Sequence, residues 1–122
     1  MPRTNVVFYR ETDGSVPLLE WLDGLPPAAI VKCRLKLERL KELGYELRRP
    51  EADFLREGIY ELRIRLRRVN YRMMYFYHGK TAAVISHGIV KEKEVPPREI
   101  DRAIKRKQAF VSDPERHTYA EP

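Results

Sequence analysis

The chain has few of the residues that disulfides, metal sites and redox centres need. Its 122 residues include one cysteine and three histidines. The cysteine, Cys33, has no partner for an internal disulfide and falls among the apolar positions of a predicted helix. We therefore expect Cys33 to be a small core residue rather than a nucleophile. No metal-site or redox spacing is present, so no cofactor is expected.

Long hydrophobic runs are also missing. The N-terminal residues lack the apolar stretch of a secretory signal. No segment reaches the ~18 consecutive apolar residues of a membrane span. We therefore expect a soluble, cytoplasmic protein that has no membrane partner.

The basic residues that are present are unevenly distributed. The formal net charge is +6, and two segments account for all of it. Residues 61–72 contain five arginines and one glutamate, and residues 91–107 contain seven basic and four acidic side chains. A positive charge concentrated in this way favours a focused binding face for a polyanion.

Apolar and cationic residues alternate between residues 59 and 67, as they do on a half-buried strand. Four side chains then face a core: Tyr60, Leu62, Ile64 and Leu66. Arg63, Arg65 and Arg67 line the opposite face. A guanidinium is permanently charged and offers a planar fork of donors, so arginines at this spacing suit phosphates. The alternative is a solvated face with cross-strand ion pairs.

Periodicity and turn residues predict one domain over residues 1–111, followed by a flexible tail over 112–122. The predicted strands cover 6–10, 59–67, 71–78 and 81–90, and the predicted helices cover about 17–24, 28–43 and 98–110. A connecting loop over 45–57 contributes Phe54 or Leu55 to the core. The order β-α-α-β-β-β-α predicts an α+β fold with an antiparallel sheet, an N-terminal helical hairpin on one face and a C-terminal helix. The first strand is expected at an edge or beside the last strand, and the second face is expected to stay open.

Three stretches carry a family resemblance. They are Leu55 with Gly58-Ile59-Tyr60-Glu61-Leu62-Arg63, then Tyr71-Arg72-Met73-Met74-Tyr75-Phe76 before Gly79, and His87-Gly88-Ile89-Val90-Lys91 before Pro96, Glu99-Ile100 and Ala103. In this order they resemble the RelE/ParE superfamily of type II toxins, and within it the HigB-like, phage-derived branch. The resemblance runs from about residue 6 to 110. It implies a curved sheet whose basic concave face cuts mRNA in the ribosomal A site, and a cognate helix-turn-helix antitoxin as a second partner.

The resemblance also implies site residues. In RNase members, basic residues on the first meander strand, an arginine on the next and a basic residue after the last strand form the site. The matching positions are Arg63, Arg65, Arg72 and Lys91, with Lys93 adjacent. Those members have lysines where this chain has Arg63 and Arg65, and a guanidinium is a poor proton acceptor.

Metal-free RNA cleavage needs an aligned 2′-hydroxyl, stabilised charge on the phosphorane and a proton for the leaving oxygen. We expect Arg65 and Arg72 to clamp the phosphate and Lys91 to donate a proton or act as a further clamp. His87 is a candidate base, and the alternative for it is a structural, partly buried role. Further RNA contacts are expected from Arg63, Arg67, Lys93 and Tyr77.

Two other functions remain open from the sequence. A ParE-like protein poisons DNA gyrase by protein contact and needs no catalytic residues. A non-catalytic RNA- or ribosome-binding module would use the same basic face only to bind phosphates.

Overall fold

The computed structural model describes residues 3–80, 82–90 and 93–122. Its strands are β1 (Asn5–Tyr9), β2 (Ala52–Arg56), β3 (Ile59–Leu66), β4 (Val69–His78), β5 (Ala82–Val90) and β6 (Thr118–Tyr119). Its helices are α1 (Pro17–Asp23), α2 (Pro27–Leu43), α3 (Pro97–Ser112) and α4 (Pro114–His117), with a 3₁₀ turn at Gly44–Glu46. Within the described residues the strands form one sheet in the order β2-β3-β4-β5-β1-β6.

The sheet is mostly antiparallel, which confirms the predicted α+β class. Consecutive strands from β2 to β5 pair antiparallel, whereas β1 pairs parallel with β5. The first strand therefore lies beside the last meander strand, which is one of the two expected places. Among the described helices, none has both the length and the apolar character needed to cross a bilayer.

Proline and glycine set the bounds of α2. Pro27 occupies its first turn, where the missing N–H costs no hydrogen bond, and Gly44 ends it with a φ of +51°. Buried residues recur at three- and four-residue steps along one side of this helix: Ala29, Cys33, Leu37 and Leu40. This side packs on β3 and β1, so α2 covers one face of the sheet.

Alternation along β3 and β4 separates the two faces of the sheet. On the face covered by α1 and α2, the core contains Leu62, Ile64, Tyr71, Met73 and Tyr75. On the second face, α3 packs over a smaller core that contains Ile59, Met74, Phe76, Val84, Ile100, Ala103 and Phe110. The expectation that the second face stays open is therefore correct only for the part of the β3–β4 hairpin near Arg63 and Arg72, beyond this core.

Two segments differ from the sequence expectations. Residues 52–56, which we expected in a loop, form β2 at the sheet edge, where Phe54 is exposed and Leu55 is partly buried against the α3 core. Residues 112–122, expected as a flexible tail, include α4 and β6. Within them, His117 is buried and stacks on Tyr9 at a centroid distance of 5.1 Å. The sequence did not predict this ordered segment because its apolar content is low. A few specific contacts to β1 hold it in place instead.

Candidate functional site

Arg63 and Arg72 are direct cross-strand partners on β3 and β4, so their side chains share one face of the sheet. Both bind Glu61, whose side chain is only 4% exposed. Arg63 Nε donates to Glu61 Oε1 at 3.0 Å, and Arg72 Nη1 donates to the same oxygen. One nearly buried carboxylate therefore fixes the positions of two guanidinium groups.

Asp53 on β2 extends this arrangement toward the sheet edge. Its Oδ2 accepts from Arg63 Nη2 at 3.1 Å and lies 2.8 Å from Arg49 Nη2. The hydrogen bond from Arg49 is the main reason that the pKa of Asp53 lies below its usual value. We call the series Arg49, Asp53, Arg63, Glu61 and Arg72 the arginine row. It contains three cations and two anions, so it keeps a net positive charge.

Several donors of these arginines remain available. Each guanidinium has five N–H donors. Arg72 Nε is buried and has no hydrogen-bond acceptor among the described residues. Arg65, the next residue on the same face of β3, is exposed, and its Nε donates to the carbonyl oxygen of Arg67 at 3.1 Å. The exposed Arg65 therefore offers N–H groups to an incoming anion, whereas Arg72 Nε is enclosed by the protein.

A cleft of 480 Å³ lies beside the row. It is lined by Lys36, Pro50, Glu51, Arg63, Ile64, Arg65, Asn70, Tyr71 and Arg72. Glu51 accepts hydrogen bonds from Arg39 and Lys36, which lower its pKa to about 2, so it stays ionised. We call this space the arginine cleft. Its volume is within the ~300–1,000 Å³ range of ligand sites.

This geometry lies inside a recognised sequence family. The profile of the family described as "Phage derived protein Gp49-like (DUF891)" matches residues 20–108, a span that includes the arginine row and α2 through most of α3. The chain belongs to the Gp49-like family. That family is RelE-like and toxin-like. A comparison with curated proteins finds none that matches the chain.

The Gp49-like structure brings Arg63, Arg65 and Arg72 together at the arginine cleft, as the sequence predicts. It differs from the prediction in the partners of these side chains, because Arg63 and Arg72 bind carboxylates. Lys91 lies outside the described residues. The cross-strand ion pairs that we considered as the alternative are thus present.

Arg67 and Lys93 lie at the edge of this site. Arg67 is not on β3, which ends at Leu66. It lies in the two-residue turn before β4 begins at Val69, with a φ of +58°. Lys93 is exposed and lines a second cavity, of 600 Å³, with Arg68, Val69, Asn70, Val90, Glu94 and Pro96. Asn70 lines both cavities, so they are neighbours.

Tyr77 is not at the arginine cleft. It lies on the face that α1 and α2 cover, on the opposite side of the sheet from Arg72. Its ring stacks on Tyr45 with centroids 3.7 Å apart, and burial raises its pKa to about 12. Tyr77 therefore does not line the arginine cleft, and its contact with RNA stays a prediction.

His87 is buried under α3 and does not face the arginine cleft. Its Nδ1 lies 2.8 Å from Ser86 Oγ, and its Nε2 lies 3.1 Å from a Glu99 carboxylate oxygen. Burial, followed by the positive charge of Arg106, lowers its pKa to about 4. Ser86 is the extra residue of a β-bulge opposite β4, and it determines the direction of His87. The structure therefore favours the structural alternative for His87.

Sequence reasoning missed the roles of two carboxylates. Glu61 lies two residues before Arg63, so strand alternation places both on one face and was a usable signal. Asp53 had no such signal, because residues 52–56 were expected in a loop. No three His, Cys, Asp or Glu side chains of the described ranges form a group suited to a metal ion.

Proposed function

We propose that this Gp49-like protein is the toxin of a type II toxin–antitoxin pair, of the HigB-like branch. In this proposal it cleaves mRNA on the ribosome without a metal ion, and a helix-turn-helix antitoxin neutralises it. The observation that supports the proposal most is the arginine row beside the arginine cleft. A net positive site that has unused, pre-oriented N–H donors suits the phosphodiester of an RNA backbone.

In the proposed reaction the 2′-oxygen of the substrate attacks the adjacent phosphorus and the bond from phosphorus to the 5′-oxygen breaks. The products are a 2′,3′-cyclic phosphate and a 5′-hydroxyl. Arg65 and Arg72 donate to the non-bridging oxygens, where negative charge increases in the phosphorane. Arg63 contacts the RNA backbone next to the scissile phosphate. Glu61 holds Arg63 and Arg72 in position before the RNA binds.

Two proton transfers accompany this step, from the 2′-hydroxyl and to the leaving 5′-oxygen. The arginines are poor proton acceptors because the pKa of a guanidinium is above ~12. The Glu51 carboxylate, with a pKa of about 2, is also a weak base. The proton of the 2′-hydroxyl therefore passes to solvent water in the open cleft, and Lys91 stays our candidate for the proton donor at the leaving 5′-oxygen. We give His87 no part in the chemistry, because it is buried against α3 and does not line the cleft.

The test is induction of the wild-type protein and matched variants in a bacterial host, with mapping of new 5′-hydroxyl ends on translated messages. Wild type is expected to arrest growth and to produce such ends. Arg72→Gln and the exposed Arg65→Gln are expected to reduce cleavage at least tenfold. Arg98→Gln is the control, because Arg98 lies on α3 and its side chain is 72% exposed. It is expected to behave as wild type.

Each alternative function has its own outcome in this experiment. Growth arrest with DNA damage signalling and intact messages would support gyrase poisoning. RNA or ribosome binding without new 5′-hydroxyl ends would support a non-catalytic module. Full cleavage by folded Arg72→Gln and Arg65→Gln proteins would show that the arginine cleft is not the site.

A further inference from the structure

Two large aromatic side chains are exposed next to each other at the β2 edge of the molecule. Tyr45, in the 3₁₀ turn, and Phe54, on β2, are both 53% exposed. With Tyr60 they line a cavity of 590 Å³. We call these three residues the aromatic shelf. Exposed aromatic residues that converge on one cavity differ from apolar residues scattered singly over a surface, and they indicate a binding site.

Buried neighbours hold the shelf in place. The Tyr45 ring stacks on Tyr77 with an interplanar angle of 25°, and Phe54 meets Tyr60 edge-on with centroids 5.2 Å apart. Tyr60 in turn stacks on the fully buried Tyr75 at 5.4 Å. The exposed rings are therefore supported from below by the core, and stacking a planar ligand on them would cost little additional ordering.

The charges at the shelf are suited to an anion. Arg48 and Arg49 line the same cavity. Arg49 pairs with Asp53, whereas Arg48 forms no ion pair with any residue in the described part of the chain. Burial raises the pKa of the Tyr45 phenol, so it is neutral at physiological pH and does not repel an anion. Aromatic rings combined with guanidinium groups are the chemistry that recognises unpaired nucleotides.

The shelf is also connected to the arginine cleft. Asp53 lines the shelf cavity, and its carboxylate binds both Arg49 and Arg63. Arg63 in turn lines the cleft. The arginine row therefore runs from one cavity to the other across the edge strand β2, and its cations follow the path that a phosphate backbone would take.

We propose that the aromatic shelf binds unpaired bases of single-stranded RNA. The proposal rests on the proposed function, since the RNA is the strand whose scissile phosphate lies in the arginine cleft. Bases flanking the cleaved nucleotide stack on Phe54 and Tyr45, and Arg48 and Arg49 contact the phosphates between them. A duplex binds poorly because its bases are already stacked.

The test is fluorescence anisotropy of a labelled oligouridine of about 12 nucleotides with the full chain. Phe54→Leu, which keeps an apolar side chain but removes the ring, is expected to weaken binding about tenfold, as for the loss of one stacked base. Phe54→Tyr, which keeps a ring, is expected to bind within about twofold of wild type. Val31→Ala is the control, because Val31 is 59% exposed on α2 and does not line the shelf.

Salt dependence tests the arginines separately. The logarithm of the RNA association constant falls linearly with the logarithm of the salt concentration. Arg48→Gln is expected to make this slope shallower by about 0.7, the value for one phosphate contact on a single strand. Circular dichroism of each variant confirms that it is folded. Phe54 and Arg48 are both exposed, so their replacement leaves the core unchanged.

The outcomes separate the two proposals. If Phe54→Leu binds RNA as tightly as wild type while Arg65→Gln binds it weakly, the shelf proposal is wrong and the arginine cleft stands. A duplex that binds as tightly as the single strand also overturns base stacking. If wild type binds no free oligouridine, the shelf proposal is wrong, whereas cleavage on the ribosome is decided separately by the mapping of new 5′-hydroxyl ends.

Discussion

Glu61 lies diagonally across the β3–β4 pair from Arg72, and its carboxylate accepts a hydrogen bond from the Arg72 guanidinium. The same oxygen accepts from Arg63 Nε at 3.0 Å. Because Glu61 is nearly buried and binds two cations, it fixes Arg72 and, together with Asp53, Arg63 at the arginine cleft. Glu61 therefore positions the two guanidinium groups.

Glu61→Gln is expected to lower both stability and RNA cleavage. The amide keeps the size of the side chain, but it removes the charge that compensates Arg72, whose side chain is only 14% exposed. Breaking a largely buried pair in this way costs about 2–4 kcal/mol. Urea unfolding measures the stability, and cleavage of a message during translation measures the activity.

The control for Glu61 is an exposed ion pair. Asp101 pairs with Arg56, and its side chain is 60% exposed. Asp101→Asn is expected to change the free energy of unfolding by less than about 0.5 kcal/mol, because solvent screens such pairs. If Glu61→Gln and Asp101→Asn lowered the free energy of unfolding equally, the positioning role of Glu61 would be contradicted. Recovery of cleavage by Glu61→Asp would support it.

The buried His87 is expected to make the protein less stable in mild acid. Its folded-state pKa of about 4 lies below the ~6.5 of an unfolded histidine. Between these values the unfolded state binds more protons, so stability decreases as the pH falls from about 6.5 to 4. The decrease from this group is expected to reach about 2–3 kcal/mol.

Urea unfolding at several pH values in this window measures the effect. His87→Gln cannot take up the proton, so its stability is expected to vary less with pH than that of wild type. The groups that face His87 are Ser86, Glu99, Arg102 and Arg106, and they are unchanged in the variant. The same pH dependence in both proteins would assign the effect to other groups.

Cys33 is expected to be unreactive in the folded protein. It is fully buried on α2, and burial raises the pKa of its thiol to about 11, so almost no thiolate forms at neutral pH. Incubation with iodoacetamide, followed by mass spectrometry, should detect no labelling of the native protein and complete labelling in denaturant. Rapid labelling under native conditions would mean that α2 separates readily from the sheet.

Gly88 on β5 is expected not to tolerate a side chain. A Cβ atom there would overlap the Trp21 ring of α1. Gly88→Ala should therefore destabilise the protein by about 1–3 kcal/mol through overpacking. Gly24→Ala is the control, since a Cβ at Gly24 comes no closer than 3.6 Å to its nearest contact.

A double variant identifies the cause of the Gly88 effect. If overlap with Trp21 is responsible, Trp21→Leu combined with Gly88→Ala should lose less stability than the two single variants together. Thermal unfolding of all four proteins completes the cycle. Strict additivity would show that Gly88 is needed for a reason other than Trp21.

Sequence periodicity located the long elements well. Helices α2 and α3 begin at a proline and show regular apolar steps, and the structure places both within a few residues of the prediction. Strands β3, β4 and β5 were equally clear. Strand β2 was missed because Ala52–Arg56 has no clear alternation, and its pairing with β3 is a tertiary contact that local patterns do not record.

The site was predictable in part. Alternation correctly placed Arg63 and Arg65 on one face, because the period of a strand determines it, but Arg67 lies in the turn beyond β3. Arg72 was identified by the family resemblance. Alternation could not assign His87, because the bulge at Ser86 interrupts the alternation of β5. Nor could it place Asp53 opposite Glu61, because that proximity arises only when β2 joins the sheet.

The parallel pairing of β1 with β5 also affects how the protein folds during synthesis. Phe8 is a register partner of Ile85, so β1 has no strand partner within the described sheet until β5 has left the ribosome. Until then the nascent chain exposes apolar residues that later form the core, including Leu18 and Phe8. Contacts so distant in sequence form late, and a chaperone or protease can capture the chain during this interval.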